Sequence, residues 1–414
     1  MTTANATDNP PPSTPKPLEG VRILALEQMQ ALPYATQLLA RLGADVVKIE
    51  PPMGGDSGRA SLPAMTDPSG RRVGATYLRN NFGKRSICVD LKSPRGVELI
   101  KRLAPGFDVV AENSKPGTMT RLGVGYEDIA AVHPAVIYAS VSGFGNTVPT
   151  PYREWPAFAP IVEAMSGIYE MKRDGDHPPF VAPVGALGDI GAALFATIGI
   201  QAALRYRDLT GRGQYVDIAM YDSVVAMTDI VTNFWSMGLR NGNLGPLIMN
   251  GFRAADGWFV LQVGREAHFA KLAQLIGRPE WLTDPRLATR QGWVDHLEDI
   301  VRPAVEQWAG GKTKLEACRT LGAAGLAAGP CFTDEEVVAD PHLSARSMLT
   351  ELPRTDGISQ PILVPGNPVR LTAMANDTER RPPWLGEHTT AVLTDELSLT
   401  ADELAALRSD GIIA

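Results

Sequence analysis

The stretch "VRILALEQMQALPYATQLLARLGADVVKIE", Val21 to Glu50, constrains the fold more than any other part of the chain. It reads as an apolar strand, a helix opened near Pro33 and closed at Gly43, and a second apolar strand. Proline just inside a helix start and glycine just past its end are the punctuation such a helix needs. A strand, a crossover helix and a parallel strand form a right-handed unit. The unit recurs. After a polar, glycine-rich loop at residues 53–75, "RSICVDLKSPRGVELIKRLAPGFDVVAEN" repeats it, with Ser93 as N-cap and Pro94 at the first helical position, and "YEDIAAVHPAVIYASVSGFG" repeats it again. Alternation at this spacing predicts an α/β fold on a parallel, doubly wound sheet covered on both faces. Ligands of such sheets bind at the carboxyl ends of the strands, so the loops after Leu26, Glu50, Glu112 and Ser142 are candidate site loops.

At 414 residues the chain is longer than one hydrophobic core, which seldom grows past roughly 250–300 residues, so two domains are expected. The texture changes at "GLRNGNLGPLIMNGF", after which "DGWFVLQVG" gives a short strand behind a D-G turn and "EAHFAKLAQLIG" an amphipathic helix. We expect a smaller α+β domain at 250–345, linkers at 238–249 and 346–364, and a large domain built from 18–237 and 365–414. The start, "MTTANATDNPPPSTPKP", residues 1–17, has almost nothing to bury and is expected to be a disordered tail. A net charge of −7 gives no global attraction to nucleic acid or to an anionic membrane surface. No apolar run is expected to reach the roughly 18 residues of a membrane span. Cys88, Cys318 and Cys331 lie far apart with no C-x-x-C spacing, which reads as a reducing, cytoplasmic setting.

Several chemistries drop out. The six histidines never fall at H-x-x-x-H spacing, so no metal site is expected. There is no G-x-S-x-G elbow and no phosphate loop. Glu50 closes the first unit in the manner of a ribose-binding acid, yet "EQMQALPYA" lacks the glycines that let a pyrophosphate approach. Asp189 remains, set between glycines in "VGALGDIGAALFA" at the start of a long apolar helix. As an N-cap it would bind free N–H groups of the first turn. As a reagent it would be kept ionised by the same donors and by the helix dipole, with small neighbours admitting an electrophile. Covalent catalysis by a carboxylate is an established route.

Several stretches, taken in order along nearly the whole chain after the tail, resemble the class III CoA-transferases, the family of formyl-CoA transferase and carnitine CoA-transferase. They include "LEGVRILALEQMQALPYATQLLARLGADVVKIEPPMGGDSGR", "NNFGKRSICVDLKSPRG", "DVVAENSKPGTMTRLGVGYEDI", "HPAVIYASVSGFG", "GALGDIGAALFATIGIQAALRYRDLTGRGQYVDIAMYDS", "GPCFTDEEVVADPHLSARSM" and "LGEHT". The resemblance implies a Rossmann-like large domain, a small domain, and an interlocked homodimer. It implies that Asp189, in "GDIG", attacks an acyl-CoA thioester, and that Gln30 stabilises the developing oxyanion. It places Gln28, Met29, Lys84, Arg85, Asn113, Arg121 and Leu122 at or near coenzyme A, with acyl-CoA and a small carboxylic acid as substrates and no metal.

The chain also departs from the family's pattern. An arginine that holds the adenine end in formyl-CoA transferase falls at Pro51, so that anchor must come from elsewhere, Arg59 or Arg85 being the candidates. The glycine run that forms a lid in formyl-CoA transferase has no counterpart in "GLRNGNLGPLIMNGF", which argues against formyl-CoA and oxalate as the natural pair. The related α-methylacyl-CoA racemases need a histidine in "REWPAFAPIVEAMSGI", where Phe158 stands, and proton exchange at carbon needs a base on each face. A racemase-like isomerase and a non-catalytic acyl-CoA-binding protein are the alternatives.

Overall fold

The apolar runs become one six-stranded parallel sheet. In the computed structural model, which describes residues 15–170, 173, 175–181, 186–228, 230–239, 245–374 and 379–414, the first elements are β1 (Arg22–Leu26), α1 (Ala31–Arg41) and β2 (Asp45–Glu50). A small hairpin, β3 (Ala64–Thr66) and β4 (Arg72–Gly74), leads through α2 (Ala75–Asn80) to β5 (Arg85–Cys88). Then follow α3 (Pro94–Leu103), β6 (Val109–Glu112), α4 (Thr118–Leu122), α5 (Tyr126–Ala130), β7 (Ile137–Ser142), α6 (Ala159–Met165), α7 (Leu187–Thr210), β8 (Gln214–Ala219) and α8 (Met220–Ala226). The strand order is β5-β2-β1-β6-β7-β8. The chain steps outward from β1 to β2 and β5, then returns to β6 on the other side of β1. The switch therefore lies between β1 and β6, where Leu26 pairs with Glu112. Such a switch opens a crevice at the carboxyl ends of the strands.

Alternation along β1 sends Ile23 and Ala25 to one face and Leu24 and Leu26 to the other. The first face is covered by α1 and by α7, whose Ala192, Ala193 and Ala196 let the two helices approach closely. The second face is covered by α3 and, from the chain's end, by the helices that carry Val392, Leu393, Leu404 and Leu407. At 24 residues, with a mean hydropathy of 1.5 over its most apolar window, α7 is long and apolar enough to cross a membrane by length and composition alone, although its uncharged run is bounded by Asp189 and Arg205. Its buried face explains that composition: half of the window is packed into the core.

The chain divides into two units, Met1–Val231 with Ser347–Ala414, and Thr232–Arg346. The second has a three-stranded antiparallel sheet of β9 (Ile248–Ala254), β10 (Gly257–Val263) and β11 (Ala327–Pro330) in the order β11-β10-β9. Its helices include α9 (Glu266–Leu275), α10 (Arg290–Asp295), α11 (Arg302–Ala309), α12 (Lys314–Ala323), α13 (Asp334–Val338) and α14 (Pro341–Ala345). Phe269 stacks on Trp293 at 4.4 Å and on Trp281 at 5.6 Å in its core. Of the segment 346–364, read as a linker, residues 347–364 fall in the first unit, where β12 (Leu349–Leu352) pairs with β13 (Ile362–Pro365). Residues 1–14 of the expected tail and 240–244 of the other linker lie outside the described residues. The chain closes with α15 (Thr389–Leu397) and α16 (Ala401–Ser409), the latter in a capping box of Thr400 and Glu403.

Candidate active site

Between the end of β1 at Leu26 and the start of α1 at Ala31 the chain has four residues in which to reverse. Met29 makes the turn in the left-handed region, φ 63°, at a cost on the order of 1 kcal/mol for a residue with a side chain. Its N–H donates to Asp56 Oδ1 at 2.8 Å, and its carbonyl accepts from Asn80 Nδ2 at 3.4 Å. Gln28 exchanges two bonds with Asn113 from the loop after β6: its N–H donates to Asn113 Oδ1, and Asn113 Nδ2 donates to its carbonyl, both at 2.9 Å. That pair bridges the switch point. Gln28, Met29 and Asn113, singled out separately in the sequence, meet here.

Behind the turn lies a buried ion network that no local motif announces. Lys84 and Lys48 reach Glu27 at 2.6 and 3.4 Å, Lys48 also pairs with Asp56 at 2.8 Å, and Arg59 clamps Glu50 through Nε and Nη2 at 2.7 Å each. Glu50 further accepts from Ser86 Oγ at 2.6 Å and from the Asp56 N–H at 2.9 Å. Three carboxylates thus face three cations, and none of these side chains is more than 4% exposed. Burial alone would raise the Glu27 and Asp56 carboxyls, but the lysines outweigh it and hold both below the usual range. Burial wins at Lys84, whose ammonium is lowered to about 8 despite Glu27.

This network, with one ion pair outside it, commits three basic side chains that the sequence left open for coenzyme A. Lys84 Nζ donates to Glu27 Oε1, Pro33 O and Asn81 Oδ1 at 2.6, 2.8 and 2.9 Å, so all three of its protons are spent and none is left for a phosphate. Arg59 is buried against Glu50, with its guanidinium 3.6 Å above the Tyr77 ring, and cannot serve as an adenine anchor. Arg85 opens β5 beside Asp45 at the start of β2, with Nε 2.9 Å from Asp45 Oδ1; it stands at the amino edge of the sheet, away from the candidate loops. Glu50, too, has its oxygens committed and is no ribose ligand. Arg121 is exposed on α4, its Nη2 donating to Thr118 Oγ1 at 3.0 Å, while Leu122 packs half-buried on the second face of the sheet.

The helix that carries Asp189 starts differently. Ala186, φ 48°, is a second left-handed residue with a side chain, and it is the N-cap of α7. Gly188 lets α7 lie against α6, for a Cβ there would come within 2.7 Å of Val162 Cγ2. That approach brings the Gly188 N–H to Glu163 Oε1 at 2.9 Å, while the Tyr169 hydroxyl donates to Glu163 Oε2. The acid that binds the N-terminus of α7 is therefore Glu163. Asp189 lies in the first turn, part-buried, and its carboxylate makes no hydrogen bond among the described residues. The N-cap reading of Asp189 falls. So does the expectation of a carboxylate held ionised by backbone donors: burial first, and the Glu163 carboxylate second, raise Asp189 from 3.8 to about 6. Nothing in the sequence marks Glu163; it becomes visible once α6 is packed on α7.

Gln30 is the N-cap of α1, and its side-chain amide likewise makes no hydrogen bond among the described residues. The helices α1 and α7 pack side by side, each running back toward the amino edge of the sheet. Within one chain no hydrogen bond joins Gln30 to Asp189. Phe158, where a racemase would place its histidine, is the N-cap of α6 and 69% exposed. Among the described residues no group of three or more His, Cys, Asp or Glu side chains is placed to hold a metal ion.

Comparison with known proteins spans nearly the whole chain. Residues 18–389 match the family described as CoA-transferase family III. The chain is 37% identical to succinyl-CoA–D-citramalate CoA-transferase of Chloroflexus aurantiacus, over 96% of this chain and 98% of that one. It is 35% identical to succinate–glutarate CoA-transferase of Agrobacterium fabrum, over 93% and 96% of the two chains. The crystal structure of a CAIB/BAIF family protein from Brucella suis superposes with a TM-score of 0.80 at 32% identity, covering 92% of this chain and all of that one.

Proposed function

Because the chain belongs to CoA-transferase family III, and moves CoA between acyl thioesters and free carboxylates, we propose that Asp189 is its nucleophile. The observation that carries this reading is the pair of unspent polar side chains, Asp189 and Gln30, each at a helix start that follows a left-handed residue. Strain of that kind is retained where the surrounding structure holds a site in place. Asp189 Oδ attacks the thioester carbonyl carbon, the C–S bond breaks, and an acyl-aspartyl anhydride and CoA thiolate result. The thiolate attacks the aspartyl carbonyl and releases the donor acid, leaving an aspartyl-CoA thioester. The acceptor carboxylate then runs the two steps backwards. A thioester is conserved throughout, so the exchange needs no input of energy, but it does need water kept out.

Gln30 donates its amide N–H to the oxyanion formed at each step. Gln28, Met29 and Asn113 line the CoA path across the switch point, with Arg121 and Leu122 further along it. The two relatives carry succinyl-CoA or succinate in their names together with a second dicarboxylic acid. Succinyl-CoA as donor and a dicarboxylic acid as acceptor are therefore the pair we expect. One face of α7 exposes Leu187, Leu194, Ile198 and Leu209, each at least 41% exposed, an apolar stripe that a second copy of the chain would cover in a cytoplasmic homodimer.

The test is incubation with a panel of acyl-CoAs, succinyl-CoA first, without acceptor, then an acid quench and peptide mass mapping. An acyl or CoA adduct on the peptide containing Asp189 is expected, and its absence from Asp189→Asn. Deuterium entering the α-carbon of a branched acyl-CoA from solvent, with Asp189 unmodified, would sink this reading in favour of an isomerase.

A further inference from the structure

Among the described residues, Glu163 is the one charged group that acts on Asp189, and no cation offsets it. It sits on α6, 5% exposed, with one oxygen on the Gly188 N–H and the other on the Tyr169 hydroxyl. The arrangement is unusual because a helix N-terminus stabilises a carboxylate in its own first turn. Here the Gly188 donor is withdrawn from Asp189 and given to a neighbour. The Ile190 N–H is spent inside the helix on Ala186 O. Tyr169, pushed up to about 12 by burial and then by Glu163, remains a neutral donor at any working pH. On α8, which packs against both α6 and α7, Asp222 answers to burial and to Asp217 instead.

We propose that Glu163 is the positioning residue of this centre: it fixes the first turn of α7 through Gly188 and holds a like charge behind Asp189, so that the carboxylate is both aimed and destabilised. The proposal rests on Asp189 being the nucleophile. When the Asp189 carboxylate attacks a thioester carbon, its negative charge moves onto the carbonyl oxygen and then to the leaving thiolate. The repulsion from Glu163 is present in the free carboxylate and fades as the new C–O bond forms. An interaction that is worse in the ground state than in the transition state accelerates the step. A carboxylate raised to about 6 is also a stronger nucleophile than an ordinary one and is still mostly ionised at pH 7.

The variant that isolates the charge is Glu163→Gln, which keeps a carbonyl oxygen for the Gly188 N–H. Two readouts are taken: the pH profile of CoA transfer, and the titration of Asp189 by carboxyl-carbon NMR on protein labelled at aspartate, assigned with Asp189→Asn. In the wild type both should show a group titrating near 6. In Glu163→Gln both should move toward the ordinary aspartate range, with the plateau rate lower by about tenfold. Tyr169→Phe keeps the charge and loses only one hydrogen bond, so its titration should stay close to that of the wild type. It also serves if Glu163→Gln fails to fold: a Tyr169→Phe titration that falls to the ordinary range would overturn the proposal. An NMR titration unchanged in Glu163→Gln would overturn it too, whatever the activity. Absence of transfer and of any Asp189 adduct in the wild type would instead remove the functional reading, and the NMR titration tells the two failures apart.

Discussion

The two helix starts of the candidate site treat charge in opposite ways. At the start of α1, Glu27, Asp56 and Glu50 are matched by Lys48, Lys84 and Arg59 within one buried cluster, and the backbone turn at Met29 is tied to it. At the start of α7, Glu163 and Asp189 lie together with no cation acting on the second. Desolvation raises the carboxyls in both places; at α1 the lysines reverse it, and at α7 nothing does. Burying ions is expensive unless they are paired and hydrogen-bonded. The α1 side accepts that cost with complete pairing and gains a rigid turn. The α7 side leaves it uncompensated and gains a reactive group.

The largest effect should come from Asp189→Asn, which breaks the comparison at its reactive end. Transfer should fall by roughly 10⁴-fold or more, the scale seen when an essential nucleophile is removed. Stability should rise. Well below pH 3.8 the aspartate is protonated in both folded and unfolded chains and costs nothing. Between 3.8 and about 6 the unfolded chain loses its proton while the folded one keeps it, so stability falls as the pH rises, and above 6 the whole penalty is present. The full displacement is equivalent to roughly 3 kcal/mol, and partial exposure of the side chain should leave a gain on the order of 1–2 kcal/mol. Melting curves of both proteins at pH 4, 5, 6 and 7 check this. A gap in Tm that does not open between pH 4 and 6 would contradict the unpaired state of Asp189.

Lys48→Met should have the opposite sign, because it leaves Asp56 and part of the Glu27 charge buried without a partner. A loss of about 3–5 kcal/mol in denaturant unfolding is expected. A near-neutral result would mean that the cluster is not the fixed, fully paired assembly described. Asp56→Asn is the milder break: the amide oxygen still accepts from Met29 N–H, but the charge facing Lys48 is gone. We expect about 1–3 kcal/mol of lost stability and a several-fold higher KM for the acyl-CoA, with kcat less affected, in steady-state assays.

The repeated strand–helix–strand pattern made the sheet legible because each strand carries its own apolar run and each helix its own punctuation. Lys84, Arg85 and Arg59 looked unpartnered in the sequence for one reason. A basic residue near a family motif looks available until the fold supplies its acid, and Glu27, Asp45 and Glu50 lie 57, 40 and 9 positions away in the chain. Asp189 was legible as an acid at a helix start, but its role as cap or reagent was not, since that turns on Glu163, which reaches Gly188 from 25 positions upstream. A charge buried by long-range packing leaves no local signature. Residues 347–364 read as a linker for a related reason: β12 finds its partner only across the loop to β13.

Arg121 is where the smallest effect is expected, and it sharpens the comparison from outside both helix starts. Its guanidinium is exposed and donates to Thr118 Oγ1, with no ion pair to a carboxylate among the described residues. Such a group contributes to binding only if an anion comes to it, and a charge-assisted bond to a phosphate at the surface is weakened by salt. Arg121→Ala should therefore leave the melting temperature and kcat unchanged and raise KM for the acyl-CoA by about three- to fivefold at low ionic strength, an increment that shrinks at 0.5 M salt. Arg95→Ala, which breaks an exposed pair with Asp410, is the matched control and should change neither constant. An equal response from the two variants would show that Arg121 is an ordinary surface charge. The CoA path would then rest on the Gln28–Asn113 bridge, which belongs wholly to the rigid half of the site.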